Sequence, residues 1–196
     1  MMRITTGLLL ATMLMLIALV GCQKPPEQAQ TTPQPPPPTA TTPTNAPAAG
    51  EGVGKPAPAF TVTDIDGASH SLASYGGKIL VVDFWATYCK PCVKKLREYA
   101  SYSATYQDKG VEFLALSMDD SDEVIKGWKS QNEGINFPLA RMDETTKKAF
   151  FGDTALVPIP QMRIIDRKGI IRYSFGPDGT SEQVEEALKT LLEEKR

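Results

Sequence analysis

The strongest constraint in this chain is Ile79-Leu80-Val81-Val82-Asp83-Phe84-Trp85, an almost unbroken apolar run followed after three residues by Cys89-Lys90-Pro91-Cys92. A run of that kind is what a strand needs when both its faces are covered. Such a strand belongs to a layered α/β domain with helices on either side of a sheet. The rest of residues 51–196 fits that frame and is long enough for one hydrophobic core. Residues 60–64 alternate apolar and polar before Asp66-Gly67, so a β-hairpin is expected to open the domain as an N-terminal extension. A helix is expected over 93–106, a second buried strand over 111–118, and a helix over 123–131 started by the side chains of 119–122. Residues 162–165 and 170–175 read as a hairpin around Asp166-Arg167-Lys168-Gly169. Thr180 and Gln183 have the spacing of a capping box for a last helix running to about residue 194. The fold class is α/β, a central mixed sheet flanked by helices, without internal repeats.

The remaining residues are a different kind of polymer. Nine of the sixteen prolines lie between residues 23 and 50, where only Lys24 and Glu27 are charged and no large apolar side chain occurs. A segment like this buries too little surface to offset the entropy of ordering it. Residues 22–50 therefore read as a tether stiffened toward polyproline II, reaching roughly 30 Å as a coil and about 85 Å if fully extended. Ahead of it, residues 1–21 carry one basic residue, an apolar stretch of about 14 residues and a small residue at its end, the layout of an export signal. That stretch is shorter than the roughly 20 residues a spanning helix needs. Leu19-Val20-Gly21-Cys22 resembles the lipobox of bacterial lipoproteins, which implies a lipid on Cys22 and an extracytoplasmic domain held to a membrane. Gln23 after that cysteine favours the outer membrane under the enteric sorting rule.

Charge and cysteine count narrow the chemistry. With 21 Lys+Arg against 23 Asp+Glu the net charge is −2, which gives no electrostatic reason to expect a nucleic-acid partner. Three cysteines are too few for a disulfide-stapled scaffold. Cys89 precedes a predicted helix, where unpaired backbone N–H groups and the positive end of the helix dipole favour thiolate over thiol. Lys90, Lys94 and Lys95 act in the same sense. Cys89 is thus the expected attacking sulfur. Cys92, one turn on, reaches the same helix face within disulfide range and is expected to be the more buried, resolving partner. Pro91 costs nothing near a helix start. A structural zinc site needs four ligands, whereas the domain has two cysteines and the distant His70, expected to be a solvated loop residue. A purely structural disulfide would add little, because so short a loop gains least from closure. No metal or other cofactor is expected.

The segment from Val82 to Cys92 resembles the active-site stretch of the thioredoxin superfamily. Gly54-Lys55-Pro56, Tyr75-Gly76-Gly77-Lys78 and Gly110-Val111-Glu112-Phe113 are similar to the extracytoplasmic TlpA-like branch, which is related to the redoxins. The resemblance spans about residues 52–194 and implies a thioredoxin fold. Val157-Pro158-Ile159-Pro160-Gln161 is similar to the segment carrying the family's cis-proline, which implies a cis Ile159–Pro160 bond beside the cysteines and a substrate-binding edge there, with Pro158 the competing candidate. It also implies substrate contacts from Trp85 and from Tyr88, which would shield Cys89.

A lone carboxylate in an apolar strand is costly unless protonated or paired. Asp83 matches the thioredoxin aspartate that accepts the proton of the resolving cysteine, and a raised pKa is expected for it. TlpA-like relatives place a glutamate three residues after the second cysteine, where this chain has Lys95. The thioredoxin lysine falls on Ala115, so Asp83 is expected to act alone. The resemblance implies a thiol–disulfide oxidoreductase that reduces exported proteins, apocytochrome c among them, and draws electrons from a membrane donor of thiol–disulfide type. Two other readings share features: a peroxiredoxin-type peroxidase, which wants Thr or Ser at Ala86, and a copper(I) chaperone using the dithiol.

Overall fold

The computed structural model describes residues 52–194; the expected signal (1–21), the tether (22–50) and Cys22 lie outside the described residues. Seven strands and four α-helices follow in the order β1 (Thr61–Thr63), β2 (Ser69–Ser71), β3 (Ile79–Trp85), α1 (Lys90–Tyr106), β4 (Val111–Ser117), α2 (Asp122–Lys129), β5 (Leu139–Arg141), α3 (Glu144–Phe151), β6 (Gln161–Ile165), β7 (Ile171–Phe175) and α4 (Ser181–Glu193). The main sheet has the order β5-β4-β3-β6-β7. β3, β4 and β5 run parallel, while β6 and β7 are antiparallel additions on the other side of β3. The expected mixed sheet flanked by helices is present, with β3 at its centre.

All seven residues of β3 are buried, as the apolar run requires. Their alternation sorts them between two layers. Ile79, Val81 and Trp85 pack with Leu96 and Tyr99 of α1, Ile125 of α2 and Leu188 of α4. Leu80, Val82 and Phe84 pack with Phe60, Val62 and Leu114 on the opposite face. There Phe84 meets Phe150 and Phe151 of α3 edge-on, with centroids 5.1 and 4.7 Å apart.

The last helix starts as its capping box predicts: Thr180 Oγ1 accepts from the Gln183 N–H, and Gln183 Oε1 accepts from the Thr180 N–H. α1 begins at Lys90, three residues before the expected start, because proline is tolerated in a first turn and Cys89 itself provides the cap. β5 and α3 carried no sequence signal. The strand is three residues long, and α3 is capped by Asp143, whose carboxylate accepts from the Thr146 N–H, but holds its apolar residues only at its C-terminal end.

The opening hairpin forms as β1 and β2, with Val62 opposite His70. His70 is therefore not a solvated loop residue. Its Nε2 lies 2.8 Å from Asp64 Oδ2 and its Nδ1 2.8 Å from the Tyr75 hydroxyl, because the β2 register turns the ring inward onto the preceding turn. Burial pushes the Asp64 carboxyl up, but hydrogen bonds from His70 and the Ala68 and Asp66 N–H groups outweigh this and hold it below the ordinary carboxylate value. Asp64 also pairs with Ala140, and the Ile65 N–H donates to the Leu139 carbonyl, so the hairpin is fastened to β5. A carboxyl with a lowered folded pKa stabilises the fold above its unfolded value of about 3.9, and this contribution is lost as pH falls through the folded value. Asp64→Ala should cost about 2 kcal/mol at pH 7, from the hydrogen bonds removed. The gap from wild type, measured by urea unfolding, should narrow toward pH 3.

Candidate active site

β3 delivers the chain into the Ala86-Thr87-Tyr88 loop, and a carboxylate from the neighbouring strand end fixes that loop. Asp119 Oδ2 accepts from the Thr87 N–H at 2.9 Å and Oδ1 from the Thr87 hydroxyl at 2.7 Å, while Ser117 Oγ donates to Oδ2 at 2.6 Å. Asp119 is thus not a starter of the following helix; the cap of α2 is Ser121. Sequence reasoning missed this clamp. Its signal is Ser117 and Asp119 at the end of a buried strand, with Ser117 in register with Trp85.

Cys89 occupies the N-cap of α1 in extended conformation, and its Sγ accepts from the Cys92 N–H at 3.3 Å. The two cysteines are joined as a disulfide with Cα atoms 5.2 Å apart. They are unequal: Cys89 keeps 9% of its surface exposed and Cys92 none. The three-residue spacing produces this difference, since it carries Cys92 one turn inward against the sheet. Tyr88, beside Cys89, is 72% exposed.

Asp83 lies on the β3 face shared by Val81 and Trp85, the face turned to α1. It is buried, and neither carboxylate oxygen has a hydrogen-bond partner among the described residues. Burial pushes its pKa up to about 8, and the Lys95 ammonium pulls it back down. Lys95 stands three residues after Cys92 on α1, where its Nζ donates to the Gly179 carbonyl at 2.6 Å and to that of Pro177 at 3.3 Å. Burial lowers the Lys95 pKa while Asp83 raises it, so the two groups act on each other. Ala115 does sit opposite Asp83 on β4 and offers no charge. A cation on the helix acts on Asp83 instead, since the Lys95 ammonium of α1 opposes the effect of burial on its carboxyl.

The Ile159–Pro160 peptide is cis, and that of Pro158 is not. Ile159 packs against the cluster that contains both cysteines. Trp85, expected to touch substrate, is completely buried with its ring 4.7 Å from that of Trp128; it presents no surface and instead forms the floor beneath the loop. Among the described residues, no three His, Cys, Asp or Glu side chains gather as metal ligands, and no helix is long and apolar enough to cross a membrane.

Comparison with known proteins agrees with this geometry. Residues 53–174 match the model of the AhpC/TSA family. The thiol-disulfide oxidoreductase ResA of Bacillus anthracis is 35% identical over 139 residues, covering 71% of this chain and 78% of that protein. ResA of Bacillus thuringiensis subsp. konkukian is 34% identical with the same coverage. A thioredoxin-family thiol:disulfide interchange protein from Chlorobium tepidum superposes with a TM-score of 0.63 at 25% identity, covering 70% of this chain and 95% of its own. With a cysteine pair at the start of the helix that follows the central strand, and relatives of this kind along most of the domain, the chain belongs to the AhpC/TSA family, in its thioredoxin-fold, TlpA-like branch of thiol–disulfide oxidoreductases.

Proposed function

We propose that this enzyme acts outside the cytoplasm, anchored through a lipid on Cys22 and spaced from the membrane by residues 23–50, and that it reduces disulfides of exported proteins. The observation that carries the redox reading is the inequality of the two sulfurs at one helix start. With the pair reduced, Cys89 faces the Cys92 N–H and the dipole of α1, both of which favour its thiolate. That thiolate attacks one sulfur of a substrate disulfide. The S–S bond breaks, the departing thiolate takes a proton from solvent, and a mixed disulfide links Cys89 to the substrate. Cys92 then loses its proton to the Asp83 carboxylate and its thiolate attacks the Cys89 sulfur. This forms the intramolecular disulfide and expels the second substrate sulfur as a thiolate that takes a proton from solvent. The enzyme is oxidised by two electrons and the substrate reduced by two. A membrane donor of thiol–disulfide type would restore the dithiol, because exported compartments oxidise thiols.

Substrate would lie across Tyr88 and the backbone edge at Ile159 and Pro160. The exposure of Tyr88 and the packing of Ile159 against the cysteine cluster support this. Trp85 supports the loop from below. Asp119 and Lys95 are positioning residues, the first holding the loop and the second tuning Asp83.

Cys92→Ser should retain substrate proteins on Cys89 as mixed disulfides that reductant releases in non-reducing gels. An absence of trapped species, or hydrogen peroxide consumption in place of insulin reduction, would overturn the reading. Cys22→Ser should abolish incorporation of labelled palmitate and release the domain from membranes.

Asp83 gives a pH signature. Its folded pKa of about 8 lies above the unfolded carboxyl value of about 3.9. The folded state therefore loses stability as pH rises from about 4 toward 8, while the unfolded chain alone ionises. Asp83→Asn should raise stability to urea at pH 7. It should also slow the resolving step by about a hundredfold, a typical contribution from a placed proton acceptor. The wild-type rate should climb through pH 8, and the variant should lack that inflection.

A further inference from the structure

On one side of the redox turn a groove of about 390 Å³ runs along α1, bordered by Thr87, Lys90, Lys94, Arg97 and Trp128. Lys90, Lys94 and Arg97 recur at helical spacing and so line one face. Among the described residues no carboxylate lines the groove. Arg97 Nη2 donates to Asn132 Oδ1 at 2.7 Å, which stretches the guanidinium across it and leaves its other donors uncommitted among the described residues. Lys94 lies 3.9 Å from Glu98 and within electrostatic range of Glu182, contacts that leave most of its side chain exposed. Trp128, held against Trp85, gives the groove a firm aromatic wall.

Lys90, in the first turn of α1, does not serve the helix. The first turn of α1 contains no acidic residue, whereas those of α2, α3 and α4 all contain one or two. Positive charge at a helix N-terminus opposes the dipole and costs stability. A local rule broken beside a reactive group points to a role in function. The site also lies where a substrate must pass, since Thr87 and Lys90 flank Cys89 in sequence. From Lys90 to Arg97 the helix rises about 10 Å, the length of about three residues of extended chain.

We infer that this groove is a specificity site for an acidic polypeptide segment: it takes the residues flanking the substrate's attacked cysteine and pairs their carboxylates with Lys90, Lys94 and Arg97. The inference rests on the thiol–disulfide exchange reading and names the class of protein disulfide preferred. Carboxylates meeting guanidinium and ammonium groups here raise the rate of productive encounter rather than the chemistry at sulfur.

Three peptide disulfides of equal length distinguish the outcomes, with the three residues beside the cysteine all neutral, all acidic or all lysine. Each is mixed with pre-reduced enzyme, and the second-order rate is measured at low and high salt. The acidic peptide should react about tenfold faster than the neutral one and the lysine peptide more slowly, with the differences shrinking as salt rises. Lys94→Glu/Arg97→Glu, checked for folding by circular dichroism, should invert the ratio of acidic to lysine rates. That ratio cancels any change in the ionisation of Cys89. Equal rates for all three peptides, or an acidic preference retained by the double variant, would overturn the inference and leave the exchange reaction standing. Failure to reduce even the neutral peptide would overturn the exchange reading and the inference with it.

Discussion

The burial of β3 on both faces is the constraint from which the site follows. A strand enclosed between α1, α2 and α4 on one side and α3 with the opening hairpin on the other has no freedom to shift its end. The turn that leaves it is then pinned a second time, through the Thr87 contacts of Asp119 at the end of the adjacent strand. Cys89 is presented from a point fixed by two parallel strands, and α1 begins there without play. Sites built this way hold geometry better than those on free loops.

The same enclosure creates the difference between the sulfurs. The first stays at the rim because it caps the helix, and the second is drawn into the layer between α1 and β3. Asp83 is the buried ionisable group on the β3 face of that layer, and burial keeps its carboxyl neutral well above its ordinary range. Lys95 moderates this from the helix, one turn beyond Cys92. The proposed proton acceptor is thus set by burial on one side and by a single cation on the other.

The legible parts of the sequence were those in which one physical rule dominates. The double-sided burial of residues 79–85 and the capping box at Thr180 and Gln183 each admitted one reading, and the structure carries both. The cysteine spacing left a redox pair, a peroxidase cysteine and a copper(I) dithiol open, and the thiol-disulfide oxidoreductase relatives favour the first. The cis bond at Ile159–Pro160 came through resemblance, since periodicity says nothing of it. What stayed hidden depends on contacts distant in sequence. β5 is too short to show alternation, and α3 gains its stability by setting Phe150 and Phe151 on Phe84. His70 looked solvated because its neighbours are polar; the β2 register supplies its partners. Asp119 resembled a helix starter until the sheet brought Thr87 beside it. Trp85 was read from its place in a motif, while its strand alternation sends it inward.

The fastening of the opening hairpin to β5 has a further effect. β5 is the outermost strand on its side of the sheet, and an outer strand carries a row of backbone donors and acceptors able to recruit another chain. Asp64 and Ile65 occupy positions on that row through Ala140 and Leu139. A catalyst whose partners arrive with loose polypeptide around their cysteines risks being extended by them into a shared sheet. By spending the turn of its own opening hairpin on that flank, the domain leaves visitors the redox turn as a place to engage and denies them that edge as one on which to polymerise.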